Sequence, residues 1–352
     1  ARGTGKNLFS SSRGIRSLRM PLLLHPHPPY DFALSCRVFS EGDPSVRRFE
    51  QGTFRQVLRV NGKPALFQVR DVREVWDPVL AVDILQGGEV TPREREMAEE
   101  QIASLLSIHD DLEQFFIAIR PDPVMTGISR DLLGLRAPQS ATVFEALVAS
   151  IIEQQISIRV ARVIEARMVR RFGEGLEVAG RTYFAYPAPE DLAACTAEEL
   201  RSCGLSARKG EYILDAAGMV ADGTLDLESL KEVRDSNRII EELCELRGVG
   251  RWTAEFVLLR GMHRLDIIPA DDLGVRRAIA SAYYPGQRIS ADRARAIAEQ
   301  WGAWKGLAAY YLLAAEHGVH ARGNDGEGPG KGTHESGRTS ARTGRLKGFT
   351  HT

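Results

Sequence analysis

The sequence predicts a small α+β domain followed by an all-α domain, because its hydrophobic pattern changes once along the chain. Residues 30–90 contain short runs in which apolar and polar side chains alternate, which is typical of half-buried strands. From about Gln139 to His320 the apolar residues recur at helical spacing, and short polar or glycine-containing loops separate the runs. No segment repeats at a fixed period. We therefore place an α+β domain at 20–135 and an all-α domain at 136–320.

The composition is that of an ordinary globular protein. The chain has 352 residues, of which 43% are hydrophobic and 26% are charged, so it can bury sizeable cores. No run approaches the roughly 18 apolar residues of a membrane span, and we expect no membrane partner. The four cysteines include no Cys-x-x-Cys pair, which argues against a zinc knuckle or an iron–sulfur cluster. A net charge of −1 gives no hint of nucleic acid, so that hypothesis depends on local motifs.

Both ends of the chain differ from the rest. Residues 1–19 carry basic side chains and no acidic one, and we predict a flexible basic leader there. This segment fits a transit peptide or an extension upstream of Met20, which is a plausible start. Residues 321–352 are rich in glycine, serine, threonine and charge, with Leu346 and Phe349 as the only large apolar residues. They cannot bury enough surface to offset their ordering entropy, and we predict a disordered tail.

The first domain carries strand signals on both sides of a turn. Three strands are predicted, at Thr53–Val60, Ala65–Val72 and Val79–Leu85. Asn61, Gly62 and Lys63 supply a hairpin turn between the first two. A helix is then expected after Thr91, because Thr91 and Glu94 match a capping box.

The second domain is predicted to be a set of helices. They are expected at Val143–Gln154, Ser157–Phe172, Ser206–Val220, Ser236–Leu246, Arg251–Met262, Leu273–Ala282, Ser290–Gln300 and Trp304–Ala315. A second capping box at Thr196 and Glu199 marks one further helix start.

The turn between two of these helices is the first feature that indicates a function. The helix before it ends at Gly248, which can adopt the left-handed conformation of many helix C-termini. Val249 is expected to point inward, and Gly250 lets the chain reverse before the next helix starts at Arg251. The free N–H groups of that start, together with the helix dipole, form a site for one phosphate, flanked by Arg247 and Arg251. The alternative is an ordinary tight turn, because short motifs often match by chance.

Two acidic residues follow the second helix of this hairpin. The helix 251–262 is about 18 Å long, and the residues after it can span up to about 30 Å, so the chain can return to the helix start. This return brings Asp271 or Asp272 near Trp252, just before the helix that begins at Leu273. One aspartate is enough to cap that helix. We expect one of the pair to cap and the other to face a cleft, the alternative being that both serve only the helix start.

These residues resemble the helix-hairpin-helix superfamily of DNA glycosylases, which carries a Gly/Pro-rich loop and an aspartate. The matching segments are LRGVGRWTA at 246–254 and PADDLGVRR at 269–277. The closer resemblance is to the 3-methyladenine DNA glycosylase II branch, whose first core helix and N-terminal opening resemble VFEALVASIIEQQIS at 143–157 and PPYDF at 28–32. The resemblance covers residues 28–318. It implies an N-terminal domain like half of a TATA-binding-protein saddle, followed by a two-lobed helical domain.

The resemblance also implies an activity in base excision repair. This activity is hydrolysis of the N-glycosidic bond of alkylated bases, of the 3-methyladenine and 7-methylguanine type, which must be flipped out of duplex DNA into a pocket. Cleavage develops positive charge on the sugar, which a carboxylate can stabilise. The resemblance assigns that carboxylate to Asp272, with Asp271 as the fallback. An alkylated purine is already cationic, so it leaves readily and favours an electron-rich aromatic wall.

The resemblance places the base pocket at Trp252, Phe256, Leu313 and Tyr30. The alternative for Trp252 and Phe256 is packing in the core. Enzymes of this superfamily that also cut the DNA backbone carry a lysine at the position of Trp252, where it forms a Schiff base. Trp252 cannot form one, so the resemblance implies a monofunctional glycosylase without lyase activity. The family has a tryptophan where this chain has Leu313, which implies a less aromatic pocket.

The DNA contacts are assigned to the hairpin and to two other segments. At the hairpin they are Arg247, Gly248, Val249, Gly250, Arg251 and Thr253. Gln155 and Ile156 match the loop that inserts a wedge into the duplex, although the family has an apolar residue at the position of Gln155. Arg208 and Lys209 begin a helix and are predicted to meet phosphate, the alternative being a solvated surface.

This interpretation requires no cofactor. The hairpin family often holds a monovalent cation, Na⁺ or K⁺, on backbone carbonyls that correspond here to those of Cys244, Leu246 and Val249. We expect a monomer that acts on duplex DNA containing damaged bases. The expected location is the cytoplasm (nucleoid) of a bacterium, or the nucleus or an organelle of a eukaryote.

Two other functions stay open on the sequence alone. One is a non-catalytic helix-hairpin-helix DNA-binding module, in which Asp271 and Asp272 only cap a helix. The other is a glycosylase for oxidised or deaminated bases. The lack of a lysine at Trp252 and of a cysteine cluster argues against the bifunctional members of that group.

Overall fold

The computed structural model describes residues 21–85 and 91–319. The basic leader predicted at 1–19 and the tail predicted at 321–352 lie outside the described residues. Within those two described ranges, no helix is long and apolar enough to cross a membrane.

An antiparallel sheet organises the N-terminal part. In the described residues its strands are β1 (Leu22–Leu24), β2 (Arg47–Glu50), β3 (Thr53–Val60), β4 (Lys63–Asp71) and β5 (Leu80–Ile84), in the order β1-β5-β4-β3-β2. The hairpin of β3 and β4 pairs Val60 with Lys63. Asn61 and Gly62 lie between them with φ angles of 50° and 74°, which are those of a type I′ turn. The three strands and the turn predicted from the sequence are therefore present.

Helices make up most of the rest of the described chain. They are α1 (Phe32–Phe39), α2 (Pro92–Leu105), α3 (Leu112–Ile119), α4 (Pro123–Asp131), α5 (Val143–Glu153), α6 (Ile158–Phe172), α7 (Pro189–Ala193), α8 (Ala197–Ser202), α9 (Ala207–Ala221), α10 (Ser236–Cys244), α11 (Arg251–Gly261), α12 (Leu273–Tyr283), α13 (Ala291–Ala298) and α14 (Lys305–Glu316). Short 3-10 segments occur at Glu228–Glu232 and Glu299–Trp304, and a second hairpin is formed by β6 (Gly175–Val178) and β7 (Arg181–Phe184).

The predicted fold class is confirmed, since a small antiparallel sheet region precedes a mostly helical one. The capping boxes at Thr91 and Glu94 and at Thr196 and Glu199 both form and start α2 and α8. The sequence analysis missed β1, β2, α1, α3, α4, α7 and the β6–β7 hairpin. These elements have three to nine residues each, which is too short to show a clear hydrophobic period.

The helical part has two lobes with separate cores. The first lobe contains α5, α6 and α9–α11 around residues such as Ile151 and Val257. The second contains α3, α4 and α12–α14 around residues such as Phe115 and Trp301. The Trp301 indole nitrogen donates to Asp122 at the start of α4, 3.0 Å away, which ties that helix to the C-terminal ones. Thus α3 and α4 precede residue 135 in the chain but share the core of the C-terminal helices.

The chain crosses from one lobe to the other immediately after the predicted hairpin. Ile267 packs in the first core and its neighbour Ile268 in the second. The crossing places the start of α11, in one lobe, beside the start of α12, in the other. The two helix starts that carry the motif residues therefore meet at the boundary between the lobes (the cleft), where the Trp252 indole nitrogen donates to Asp272.

Candidate active site

The hairpin between α10 and α11 has the geometry that the two glycines predict. Gly248 has a φ of +83°, and a methyl group placed on it would lie 2.1 Å from a carbon of the Tyr212 ring. Both the backbone conformation and this close approach require glycine. Gly250 has a φ of −103° and starts α11, and a methyl group there would meet nothing within 4 Å. The space beside Gly250 is therefore open.

The start of α11 offers backbone donors to a ligand. Gly250 is its N-cap and supplies no side-chain acceptor. The first N–H groups of a helix lack partners within the helix and carry its positive dipole end. Thr253 and Val249 are 2% and 6% exposed, so only their backbone atoms can reach DNA. The geometry can hold one anionic oxygen group such as a phosphate.

Gln154, at the end of α5, is hydrogen-bonded to this hairpin. The side-chain nitrogen of Gln154 donates to the Gly248 carbonyl and to the Thr253 hydroxyl, each at 2.9 Å. Gln155 and Ile156 follow directly and are exposed, and Gln155 has a φ of 55°. The predicted wedge residues therefore project beside the hairpin from an anchored base.

Both arginines that flank the hairpin already have carboxylate partners. Arg247 donates to Glu211 at 2.6 Å and to Asp215 at 3.0 Å. Arg251 donates to Glu255 at 2.9 Å. These pairs reduce the net positive charge next to the helix start, so a phosphate there depends mainly on backbone N–H groups.

Asp272 lies at the point where the two lobes meet. One carboxylate oxygen, Oδ1, accepts from the Val275 backbone nitrogen at 2.9 Å and caps α12. The other, Oδ2, accepts from the Trp252 indole nitrogen at 3.1 Å. Its side chain is half-buried. A carboxylate held at both oxygens is fixed in orientation while one edge still faces the cleft.

We expected one aspartate to cap the helix and the other to face the cleft, and this expectation is wrong. Asp272 both caps α12 and faces the cleft, because a carboxylate has two oxygens and can serve both partners. Asp271 is 48% exposed and is paired with Arg295 instead. The fallback residue is thus turned to a different partner and is not held beside Trp252.

One arginine, Arg277, lies near the carboxylate of Asp272. Arg277 donates to Glu316 at 2.7 Å. Its pKa is raised, mainly by that hydrogen bond and to a smaller extent by the charge of Asp272. The charges of Arg277 and Asp272 therefore interact, although Glu316 already balances the charge of Arg277.

Aromatic and apolar side chains form a wall next to Asp272. The rings of Trp252 and Phe256 meet edge to face with centroids 4.8 Å apart. Trp252 is half-buried, whereas Phe256 is 9% exposed and has the Arg260 guanidinium 4.4 Å from its ring centre, so Trp252 is the ring with surface left to contact a ligand. A methyl group on Gly274 would lie 3.0 Å from Asp272 Oδ1 and 3.6 Å from Leu313, which places Leu313 beside the carboxylate. The structure brings these three predicted pocket residues together.

Tyr30 does not join this wall. It is 2% exposed and belongs to the core under the sheet. Its hydroxyl donates to the Leu106 carbonyl at 3.2 Å, and the Arg136 guanidinium lies 5.2 Å from its ring centre. Tyr30 therefore has no free face to stack on a base. Its role is structural, and the prediction that it lines the base pocket is wrong.

Lys209 and Arg208 differ in their surroundings. The Lys209 ammonium donates to the carbonyls of Ile152 and Gln154, at 2.8 and 2.5 Å. Burial lowers its pKa. Arg208 is exposed. Lys209 thus stabilises the C-terminal end of α5, where the negative end of the helix dipole attracts a cation. The same contact with the Gln154 carbonyl fixes the backbone from which the wedge loop starts.

We expect Lys209→Met to lower the free energy of unfolding by about 1–2 kcal/mol, because two carbonyls lose a charged donor. Urea denaturation of the two proteins measures the difference. The matched control is Arg208→Met on the same helix turn, which should change stability by less than about 0.5 kcal/mol. Equal losses in both variants would contradict the structural role of Lys209.

Three charged residues near the site were missed by the sequence analysis. Glu255 is 1% exposed and accepts from Arg251 and Arg295, each at 2.9 Å. Burial raises the pKa of Glu255. Arg295 also binds Asp271, which holds that residue away from Trp252. Arg260 lies four residues beyond Phe256 on the same face of α11, and that spacing was a signal that could have identified it.

The turn also has the atoms that a monovalent cation needs. The carbonyls of Cys244 and Leu246 lie at the C-terminal end of α10, where helix carbonyls lack intrahelical donors. The Leu246 carbonyl accepts from the Val249 nitrogen at 3.0 Å and retains a second lone pair. Carbonyl oxygens at the negative end of a helix dipole suit Na⁺ or K⁺. The monovalent cation that the family resemblance implies stays a prediction.

Comparison with known proteins agrees with this geometry. Residues 148–303 match the model of the HhH-GPD superfamily of base excision DNA repair proteins, a range that includes the hairpin and Asp272. A DNA-3-methyladenine glycosylase of Bacillus subtilis (strain 168) is 29% identical over 218 residues, which are 62% of this chain and 72% of the relative.

Solved structures give the same result over more of the chain. A 3-methyladenine DNA-glycosylase from Archaeoglobus fulgidus is 29% identical, covers 84% of this chain and 98% of its own, and superposes with a TM-score of 0.76. A Clostridium acetobutylicum 8-oxoguanine glycosylase/lyase in complex with double-stranded DNA covers 85% and 99% with a TM-score of 0.65, and at 19% identity it shares the fold alone. The resemblance inferred from the sequence is confirmed: residues 148–303 match the HhH-GPD superfamily of base excision DNA repair proteins, and the chain is similar to DNA-3-methyladenine glycosylases in sequence and in fold.

Proposed function

We propose that the protein is a monofunctional DNA glycosylase that hydrolyses the N-glycosidic bond of alkylated bases, of the 3-methyladenine and 7-methylguanine type, flipped out of duplex DNA. The observation that carries this proposal is the position of Asp272. Its Oδ2 lies 3.1 Å from the indole nitrogen of Trp252, between an aromatic wall and a helix start with open backbone donors.

Asp272 stabilises the charge that develops on the sugar. As the glycosidic bond breaks, its electron pair moves to the base and the deoxyribose becomes an oxocarbenium-like cation. The fixed carboxylate of Asp272 faces that charge without having to reorganise. Water then attacks C1′, and the carboxylate can accept the proton that the water loses. The products are the free base and an abasic sugar.

The wall favours a base that is electron-poor. Trp252 is half-buried and lies next to Asp272, and its electron-rich ring would attract a cationic alkylated base more than a normal one. Such a base leaves as a neutral molecule, so it needs no separate acid to protonate it. One carboxylate and an aromatic surface are therefore sufficient for this substrate class.

The absence of an amine in the position of Trp252 supports hydrolysis without strand cleavage. A lyase step requires an unprotonated amine that attacks C1′ and forms a Schiff base. Lys209, on the helix beside the wedge loop, has its ammonium occupied by two carbonyls at the end of α5.

Duplex DNA is the proposed partner, and a monomer is sufficient to bind it. The N–H groups at Gly250 and the start of α11 hold a phosphate near the flipped nucleotide. Gln155 and Ile156 occupy the gap left in the duplex. The carbonyls of Cys244, Leu246 and Val249 would hold Na⁺ or K⁺, whose charge adds to the attraction for that phosphate.

Base release from methylated duplex DNA tests the proposal. We expect the purified protein to release 3-methyladenine and 7-methylguanine, detected by chromatography, and to leave the DNA strand intact. Borohydride should trap no covalent protein–DNA adduct, because no Schiff base forms. DNA binding without release of any base would favour a non-catalytic module, and strand cleavage in step with base loss would refute the monofunctional mechanism.

A further inference from the structure

Arg295 connects the two lobes at the turn that carries Asp272. It lies on α13, in the second lobe, and its side chain is 27% exposed. Its Nη1 donates to Glu255 Oε1 on α11, in the first lobe, at 2.9 Å, and to the Ile268 carbonyl at 3.3 Å. Its Nη2 donates to Asp271. One guanidinium therefore holds α11, the crossing between the lobes and the turn before α12.

The backbone between Ile268 and Asp272 is a short, closed turn. The Ala270 nitrogen donates to the Ile268 carbonyl at 2.8 Å, and the Asp272 nitrogen donates to the Pro269 carbonyl at 2.9 Å. Ile268 and Ala270 are buried. Because these bonds leave the turn little freedom, the position of the Ile268 carbonyl constrains the position of the Asp272 side chain.

Glu255 is the buried partner that fixes Arg295. It is 1% exposed, and its Oε1 accepts from both Arg251 and Arg295 at 2.9 Å. Its Oε2 has no hydrogen-bond partner among the described residues. The Arg251 side chain is 53% exposed, so the contact with Arg295 is the better shielded of the two. A buried carboxylate needs such a cation, and the pair is held more strictly than a surface ion pair.

The helix α11 thus contacts the turn at two points. Trp252 and Glu255 are three residues apart on α11 and are neighbours on its surface. Trp252 donates directly to Asp272 Oδ2 at 3.1 Å, whereas Glu255 acts through Arg295. The lobes have separate cores, so these polar contacts tie α11 to the turn across the boundary. A displacement of about 1 Å at a reacting group can lower a rate on the order of 100-fold.

We propose that Arg295, held by Glu255, is a positioning residue that fixes the carboxylate of Asp272 relative to Trp252 and the start of α11. This inference rests on the proposed function, because its effect is on the rate of base release. Arg295 acts through the Ile268 carbonyl and the buried pair. Its contact with Asp271 is more exposed and contributes less.

Single-turnover release of methylated bases from duplex DNA treated with dimethyl sulfate tests this role. Arg295→Met should lower the rate about tenfold, because the carboxylate shifts, while the Kd for DNA stays within twofold of wild type. Arg295→Lys keeps a charged donor for Glu255 without the planar fork and should restore part of the rate. The double variant Glu255→Gln/Arg295→Met leaves no unpaired buried carboxylate, and it should show the same loss of rate if Arg295→Met does not fold.

The same substitution in the Asp272→Asn protein separates positioning from a general structural effect. Without the carboxylate there is no charge to position, so Arg295→Met should change the residual rate less than twofold. Equal losses in the two backgrounds would show a structural role and overturn the inference, as would a wild-type rate in Arg295→Met. The matched control is Arg293→Met, also on α13, which removes an exposed arginine bonded to Tyr284 and should leave the rate unchanged.

If wild type releases no base, the proposed function fails, and the nuclear magnetic resonance signal of the Trp252 indole N–H decides the inference. Loss of one signal in Trp252→Phe assigns it. Trp301, whose indole is bonded to Asp122, is the internal reference. We expect Arg295→Met to shift the Trp252 signal and leave that of Trp301 in place. An unchanged Trp252 signal, or equal shifts of both, would overturn the inference.

Discussion

Asp272→Asn is expected to lower the rate of base release at least about 100-fold, because the cation in the transition state loses its counter-charge. Asparagine is nearly isosteric and caps a helix about as well as aspartate, so its side-chain oxygen can still accept from the Val275 nitrogen. The amide nitrogen then faces the Trp252 indole N–H, so that one hydrogen bond is lost while the helix cap is kept. The variant should therefore fold and bind DNA normally, which circular dichroism and a fluorescence binding assay would check.

The adjacent Asp271→Asn is the matched control for this experiment. It removes the same charge one residue away, but from a side chain that pairs with Arg295 and does not touch Trp252. We expect its single-turnover rate to stay within about threefold of wild type, because the pair it breaks is exposed. Full activity of Asp272→Asn, or equal losses in the two variants, would contradict the assignment of Asp272.

Gly248→Ala is expected to destabilise the protein by about 2–4 kcal/mol, the second large effect. The φ of +83° costs a residue with a side chain roughly 1–2 kcal/mol. The added methyl group would also collide with the Tyr212 ring at 2.1 Å, and relieving such a contact typically costs about 1–3 kcal/mol. A shift of the urea midpoint at constant slope would measure the loss.

Gly250→Ala separates stability from binding. Its φ of −103° suits any residue and no atom lies within 4 Å of the new methyl group, so stability should change by less than about 0.5 kcal/mol. DNA affinity should fall about tenfold, because the methyl group occupies the space through which a phosphate reaches the backbone donors. Unchanged affinity would show that no phosphate approaches there. Equal destabilisation by the two variants would contradict the different roles of the glycines.

The local elements of this protein follow from short-range rules. The turn at Asn61 and Gly62 and the two capping boxes depend on residues at most three positions apart, so sequence analysis finds them. The same holds for the start of the helix at Arg251, whereas the preceding helix ends at Cys244 and not at Gly248 as predicted. Elements below about eight residues, such as β1 and β2, carry too few positions to show a period and were missed.

The roles of single side chains follow from partners that are distant in the chain. The family resemblance prefers Asp272 to Asp271, but the contacts that give them different roles, with Trp252 and Arg295, lie 20 and 24 positions away in the chain. The sequence predicts Tyr30 as a pocket residue, but in the fold it is buried and bonded to the Leu106 carbonyl, so it has no face free for a base. Such choices depend on which groups the packing of the lobes brings within hydrogen-bond distance.

The sequence alone therefore determined that two helices meet at a glycine turn, that an acid pair returns to it, and which family these residues resemble. Only the tertiary structure decided that Asp272 both caps α12 and accepts from Trp252, that Asp271 is held by Arg295, and that Arg260 lies over the ring of Phe256. The reason is physical. Helix starts and turns are selected by neighbours along the chain, whereas the orientation of a charged side chain is set by the partners that folding places around it.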